Sequence, residues 1–218
     1  MLIADELLLL ALDDETGKRR IGKDRLVPAL GGALVAELLL LERVGVTPRG
    51  SGWNKRGRIT ITSLKPTDDP ELDLMLKRLA EREGKKLKDS LSEVSIGTAR
   101  VTRDLLPRML DRLVRVGALT PQRDLVLGLL PRTTWPSSDP ARQDDVRQRL
   151  QSALVHGLTP SERTVALIAL LHVVGLVNKV VHTEDRVTVK RRAKELAEGD
   201  VVAAAVKQAI EEAAAASG

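Results

Sequence analysis

The chain has 218 residues, of which 43% are hydrophobic and 30% are charged, and this is enough for a globular protein with a hydrophobic core. It contains two Trp but no Phe, Tyr or Cys. The composition argues against nucleic-acid binding by base stacking, and it excludes disulfides, thiolate metal sites and a Cys nucleophile. The net charge of +5 is compatible with phosphate-bearing partners, either nucleic acid or anionic lipid, and it identifies neither.

The N-terminal part of the chain predicts two helices joined by a basic connection. Residues 5–12 form the first predicted helix, and residues 24–43 form a long one in which the pair Gly31-Gly32 allows another backbone to approach closely. Glu37 lies inside an apolar run and is expected to pair with an Arg or with a helix-end amide. Five cations lie within residues 18–25, and they indicate either an exposed loop or an anion-attracting patch: Lys18, Arg19, Arg20, Lys23 and Arg25.

No stretch predicts a membrane span or a secretion signal. The longest apolar run, residues 26–41, is interrupted by Pro28 and Glu37 and is shorter than the ~20 residues that a bilayer requires. Asp5 and Glu6 stand where a signal peptide would carry positive charge. We therefore expect a soluble, cytoplasmic protein.

Alternating and capped segments in the middle of the chain predict a hairpin and two further helices. Residues 58–63 alternate with period two and indicate one strand of a hairpin, with Trp53 near its turn. Asp69 followed by Pro70 predicts a helix that ends near Gly84. Residues 98–116 predict another helix, which Pro107 should kink or break.

The stretch that follows this helix predicts a second, apolar hairpin. The helix is expected to end at Gly117, residues 125–130 to form a strand, and residues 131–136 to form the turn and return. The apolar residues of 125–130 cannot all face one side of a two-stranded ribbon. Two interpretations follow: a hairpin packed on the helical body, or a projecting apolar tip with Trp135 as an interfacial residue.

The C-terminal part predicts helices at 139–156, 165–177, 184–198 and 200–216. The 165–177 helix is the most apolar, and a capping box with Pro160 at the first helical position precedes it. We therefore predict a mainly α fold: a single helical domain around a central apolar helix, with one or two β-hairpins, one of them projecting.

Catalytic and metal-binding patterns are absent from the sequence. The three His (His156, His172 and His182) lack metal-ligand spacing, and the chain has neither a phosphate-binding glycine loop nor a dinucleotide fingerprint. No nucleophile, base and orienting group can be assembled. We expect a protein that is not an enzyme and that uses no cofactor and no metal.

Five segments, taken in order, resemble the Golgi phosphoprotein 3 family over residues 2–205. They are Asp5-Glu-Leu-Leu-Leu-Leu-Ala-Leu-Asp-Asp14 with Gly17, Ala29-Leu-Gly-Gly-Ala-Leu-Val-Ala-Glu-Leu38, Leu113-Val-Arg-Val-Gly-Ala-Leu-Thr120, Thr133-Thr-Trp-Pro136 and Val165-Ala-Leu-Ile-Ala-Leu-Leu171. The eukaryotic members of that family read phosphatidylinositol 4-phosphate on membranes. The aromatic-poor, Arg- and Ala-rich composition suggests a bacterial relative.

The resemblance implies an apolar hairpin that enters the bilayer beside a basic headgroup pocket. On this sequence the membrane-contacting residues would be Leu127, Leu129, Leu130 and Trp135. The family's two pocket arginines, three residues apart on the helix before the hairpin, correspond to Arg100 and Arg103, and Arg103 also fits a register counted back from Gly117. Gly22 and Gly31 stand where the family has a Trp and an Arg, so the candidate substitutes are Lys23, Arg25 or Arg20.

The resemblance thus implies a non-enzymatic, peripheral membrane-binding adaptor on the inner face of the membrane. Its partner would be phosphatidylinositol 4-phosphate or a related anionic lipid, while a protein cargo and a homo-oligomer stay open. One alternative is a winged-helix-like nucleic-acid module, against which the apolar 125–130 run argues because a wing usually brings cations to phosphate. The other is an oligomeric scaffold that uses the hairpin as its interface.

Overall fold

The computed structural model describes residues 1–47, 57–87, 89, 104–126, 130–199, 203, 206–207 and 210–211. These residues form eight helices: α1 (Ile3–Ala11), α2 (Lys23–Leu40), α3 (Pro70–Ala80), α4 (Leu105–Arg115), α5 (Pro140–Leu154), α6 (Glu162–Val173), α7 (Val177–Val180) and α8 (Arg186–Gly199). Two antiparallel two-stranded sheets pair β1 (Val44–Val46) with β2 (Ile59–Ile61), and β3 (Gln122–Val126) with β4 (Leu130–Thr134). The predicted mainly α fold with hairpins is confirmed.

The hydrophobic core is built around α1, α2 and α6. Every residue of α1 is buried, as is most of α2, and α6 is buried from Thr164 to Leu171. The apolar face of α6 packs against α1, α2, α5, α7 and α8, so this helix has the central place that the sequence predicted. It ends at Val173 and not at 177, because Gly175 adopts a positive φ of 73° and closes the last turn.

The long helix α2 confirms the expectation about Glu37 and corrects the one about its glycine pair. Glu37 pairs with the guanidinium of Arg163, and its Oε2 accepts a hydrogen bond of 2.8 Å from the backbone N–H of Ile3 at the start of α1. At Gly32, a β-carbon would lie 2.6 Å from Cδ1 of Ile210 and 3.0 Å from Cγ1 of Val206. The close approach at Gly32 is therefore real, although side chains of the C-terminal segment make it rather than a backbone.

The first hairpin follows α2 directly. Val44 pairs with Ile61 and Val46 with Ile59, so the predicted 58–63 strand exists, in a shorter form. Trp53 lies outside the described residues. The β1–β2 hairpin lies at the C-terminal end of α2, because β1 begins four residues after that helix ends.

Helix α4 differs from the predicted helix at its start. Residues 98–103 of the predicted helix lie outside the described part of the chain, and α4 begins at Leu105. Pro107 therefore falls in the first turn, where the backbone N–H groups have no intrahelical partner and the missing N–H of Pro costs nothing. Pro107 is thus a first-turn residue of α4 rather than an interior one, and Gly117 follows the helix with a positive φ of 70°, as predicted.

The second hairpin is present, but its predicted register is wrong. Its strands are β3 and β4 and not 125–130 and 131–136, and Gln122 pairs with Thr134 at the base. Pro131 lies inside β4, opposite Leu125; an isolated ribbon has two edge strands, so a residue without an N–H fits there. Residues 121–125 are all exposed, Leu125 by 63%, so β3 projects from the helical body.

Candidate functional site

The base of the β3–β4 hairpin is hydrogen-bonded to the connection between α1 and α2. The N–H of Trp135 donates to the carbonyl of Gly17 at 3.1 Å, and the N–H of Ser137 donates to the carbonyl of Asp14 at 3.0 Å. We call residues 12–22 the basic loop. Its contact with the hairpin base brings together two segments that the sequence analysis had singled out separately.

Gly17 makes this contact possible. It is buried with a φ of +61°, a conformation that side chains disfavour. A β-carbon at this position would lie 2.2 Å from both the carbonyl carbon of Trp135 and the nitrogen of Pro136. Only a residue without a side chain allows the basic loop and the hairpin base to approach so closely.

Trp135 lies at this junction rather than at the hairpin tip. Its side chain is half-buried and packs against the hydrophobic core. The neighbouring Thr134 is buried as well, so the return of the hairpin enters the body of the protein at this point. The predicted membrane contact of Trp135 stays a prediction, with the indole placed at the hairpin base.

The tip of the basic loop is a closed turn. The carboxylate of Asp13 accepts hydrogen bonds from the N–H of Thr16 at 3.0 Å and from its hydroxyl at 2.8 Å. These two bonds favour the ionised form and lower the pKa of Asp13. Backbone hydrogen bonds close the same turn. The N–H of Asp13 donates to the carbonyl of Lys18, and the N–H of Gly17 donates to the carbonyl of Asp13, both at 2.8 Å.

Asp14 connects the basic loop to α5. Its carboxylate forms an ion pair of 2.6 Å with Arg147, and it accepts weaker hydrogen bonds of 3.3 Å from Gln143 and Arg20. Gln143 is almost fully buried and also donates a hydrogen bond to the carbonyl of Leu9, in the last turn of α1. The sequence indicated only turn acids here, since no local pattern shows that partners more than 120 residues away would meet Asp14.

The five cations of the basic region separate into two groups. Arg20 is half-buried, with its Nε donating to the carbonyl of Leu12 at 3.0 Å and its Nη2 lying 3.3 Å from both Asp13 and Asp14. Its role is structural. The other four are exposed, and none of them forms an ion pair with another residue in the described ranges: Lys18, Arg19, Lys23 and Arg25.

The first turn of α2 places Lys23 and Arg25 next to the basic loop. Gly22 is the N-cap, and a β-carbon there would lie 2.1 Å from Oδ1 of Asp24. A carboxylate therefore occupies the space beside Gly22, where it also suits the positive end of the helix dipole. Gly31 is buried inside α2.

Several predicted site residues fall where the structure gives no side-chain position. Arg100, Arg103, Leu127 and Leu129 lie outside the described residues. Leu130 is the first residue of β4 and pairs with Val126. In the described part of the chain, no group of His and acidic side chains has the arrangement of a metal site, and no helix has the length and hydrophobicity to cross a membrane.

The sequence profile of the Golgi phosphoprotein 3 (GPP34) family matches residues 3–213, which is nearly the whole chain. The chain belongs to the Golgi phosphoprotein 3 family. The match begins at α1 and includes the basic loop, the β3–β4 hairpin and α6, so the resemblance recognised from five short segments is confirmed.

The Golgi phosphoprotein 3 family is a family of non-enzymatic adaptors, and its members in general interact with lipids and proteins. The site at the junction of the basic loop and the hairpin suits such a role. It combines exposed cations with a projecting strand pair, and it offers no buried nucleophile or perturbed acid–base pair among the residues described above.

Proposed function

We propose that this Golgi phosphoprotein 3 family member is a peripheral membrane adaptor whose basic loop and β3–β4 hairpin bind the same anionic lipid surface. One observation carries the proposal: the Gly17–Trp135 contact holds the loop that bears the exposed Lys18 and Arg19 against the base of a projecting hairpin. The exposed Lys23 and Arg25 follow that loop in the first turn of α2. The cations would meet lipid phosphates while the apolar hairpin end enters the interface. The protein would act from the inner, cytoplasmic face of the membrane.

The energetics of such a surface are favourable. Each Lys or Arg near an anionic bilayer contributes about 1 kcal/mol, and this contribution weakens with salt because surface charges are screened. Apolar side chains that enter the interface add binding that salt does not screen. Neither contribution alone gives stable attachment, whereas both together do.

Residues beyond the basic loop complete the proposal. Arg100 and Arg103 are three residues apart, so on a helix their guanidinium groups share one face and suit a phosphate. Leu127, Leu129 and Leu130 would supply the apolar contact at the hairpin end, with Trp135 beneath them. The lipid would be phosphatidylinositol 4-phosphate or a related anionic lipid.

Co-sedimentation with vesicles tests the proposal. Three compositions are compared at equal lipid concentration: neutral lipid alone, neutral lipid with phosphatidylserine, and neutral lipid with phosphatidylinositol 4-phosphate at matched charge. We expect binding to both anionic mixtures and little to neutral lipid. A preference for the phosphoinositide at matched charge would assign a headgroup pocket to Arg103 and its neighbours, while equal binding to all three mixtures, or to none, would contradict the proposal.

A further inference from the structure

We infer that Gly17 and Asp14 are positioning residues, which hold the basic loop and the hairpin base in one fixed arrangement so that they meet a surface as a unit. No lipid contact is assigned to either residue. The inference rests on the proposed function only where it concerns lipid binding; the fixed arrangement itself is a property of the protein alone.

Gly17 fits closely against the backbone of the hairpin base. The positive φ, the hydrogen bond from Trp135 and the 2.2 Å separation between a would-be β-carbon and the hairpin backbone all belong to one residue. Lys18 and Arg19 follow it directly, and Arg19 pairs back with Leu12 in an isolated bridge. The exposed Lys18 and Arg19 therefore lie one and two residues after Gly17, which is hydrogen-bonded to Trp135 directly after the end of β4.

Asp14 also connects the basic loop to its neighbours. Its backbone carbonyl holds Ser137, the residue after the hairpin return, while its side chain holds Arg147 of α5 and Arg20 of the loop. Three separate parts of the chain therefore meet at one acidic residue. Loss of this carboxylate would leave Arg147 and Arg20 without their shared partner and would loosen the loop from α5, while the backbone hydrogen bond to Ser137 remains.

A fixed arrangement has a consequence for binding. When two contacts are held at a constant separation, the second forms as an intramolecular step and adds affinity without any new interaction. If the loop moved freely, ordering it on the membrane would cost conformational entropy and offset part of that gain. The lipid affinity should therefore depend on Gly17 and Asp14 even though neither residue touches lipid.

A distance measurement tests the fixed arrangement without lipid. The chain has no Cys, so Lys18→Cys and Leu125→Cys, both at exposed positions, allow two nitroxide labels for double electron–electron resonance. We expect a narrow distance distribution that Gly17→Ala broadens or shifts. Gly175→Ala is the matched control: its φ is +73°, and no described atom lies within 4 Å of its would-be β-carbon, so it carries similar backbone strain without the close approach.

Vesicle binding by the same variants tests the role in lipid binding. Gly17→Ala should weaken binding to phosphatidylserine-containing vesicles by about tenfold or more, because the second contact is no longer held in place. Gly175→Ala should leave it unchanged. If Gly17→Ala does not fold, Asp14→Ala is the second variant, with Asp14→Asn expected to restore part of the binding because an amide oxygen still accepts from Arg147 and Gln143.

The outcomes separate the two proposals. An unchanged narrow distribution in both Gly17→Ala and Asp14→Ala would overturn the positioning role. A broadened distribution with undiminished vesicle binding would overturn its link to lipid. If the unaltered protein binds no vesicle, the proposed function fails, while the distance distributions still decide whether Gly17 and Asp14 hold the loop to the hairpin.

Discussion

At the N-terminus of α1, Asp5 is a carboxylate that is only 2% exposed. It accepts a hydrogen bond of 2.8 Å from the N–H of Leu2 and forms an ion pair of 3.0 Å with Arg112, which also binds Asp69 at 2.7 Å. Burial disfavours the charged form more strongly than these partners favour it, so the pKa of Asp5 is raised. Burial alone would lower the pKa of Arg112, but the two carboxylates raise it.

The raised pKa of Asp5 predicts a direction of pH dependence for stability. The folded protein keeps the proton of Asp5 over a pH range in which the unfolded chain has released it. The contribution of Asp5 to the free energy of unfolding is therefore fully present below the ordinary pKa of an aspartate, and it is lost as the pH rises through the raised pKa. The measurement compares the unaltered protein with Asp5→Asn by denaturant unfolding at a series of pH values.

The free energy of unfolding of the unaltered protein minus that of Asp5→Asn should decrease as the pH rises from the ordinary pKa of an aspartate through the raised pKa of Asp5. Asp13 provides a control of opposite sign, because its pKa is lowered by the hydrogen bonds from Thr16. Its contribution is present above the ordinary pKa and is lost as the pH falls. A difference for Asp5 that increases with pH would show that Arg112 and the Leu2 amide outweigh burial.

Single residues show what the sequence can and cannot predict. Glu37 in an apolar run had to find a partner, because an isolated buried charge is too costly, and its partners are Arg163 and the N–H of Ile3. Asp14 was different, since a turn carboxylate needs no distant partner. Its contacts with Gln143 and Arg147 follow from tertiary packing, which no local pattern encodes.

Among the secondary-structure elements, α2 has the packing contact that is easiest to test, which it makes with the C-terminal segment. Gly32 leaves room for Ile210 and Val206, both buried. Gly32→Leu should overpack this contact and lower the free energy of unfolding by about 1–3 kcal/mol. Ile210→Ala removes the atom that lies nearest, so the double variant should lose less than the sum of the two single losses when all four proteins are unfolded in denaturant.

Strictly additive losses in this cycle would mean that Gly32 and Ile210 do not contact each other in solution. Ala at residue 32 is the milder variant, because its gain in helix propensity of about 1 kcal/mol opposes the clash. It should therefore change stability less than Leu does. The cycle depends on a contact between two elements far apart in sequence, and it is independent of any lipid.

The elements differ in how well the sequence predicted them. The sequence located α2, α3 and α6 to within about four residues at each end. The helices α3 and α6 begin after the capping side chains of Asp69 and Ser161, whereas α2 begins after Gly22. The β3–β4 hairpin was located, but its register was not. Its run of Leu and Val gives no alternation from which a face could be read, and Pro131 suggested a turn where the structure has a strand.

At the scale of the whole molecule, the central claim is that one end of the protein binds anionic membranes. Ile3, at the start of α1, bonds to Glu37 near the end of α2, so these helices run antiparallel, with the basic loop at one end and β1–β2 at the other. An 18-residue helix is about 27 Å long, which separates the two ends well. Family membership was predictable from sequence; this placement of the cations was not.

The geometry supplies a matched pair of charge reversals. Lys23→Glu with Arg25→Glu changes the proposed membrane face at the start of α2. Lys85→Glu with Lys86→Glu changes two exposed cations beside β2, since the N–H of Ile59 donates to the carbonyl of Lys85. Both variants alter the net charge by the same amount, so general attraction to an anionic surface falls equally in the two.

The most direct measurement is the binding of these two variants and of the unaltered protein to vesicles of neutral lipid with phosphatidylserine, at low and physiological salt. We expect the Lys23/Arg25 variant to lose most of its binding, about 2–4 kcal/mol at low salt, because two attractive contacts become repulsive. The Lys85/Lys86 variant should bind nearly as the unaltered protein does. Equal losses in the two variants, or none in either, would contradict a membrane face at the basic loop and the adjoining start of α2.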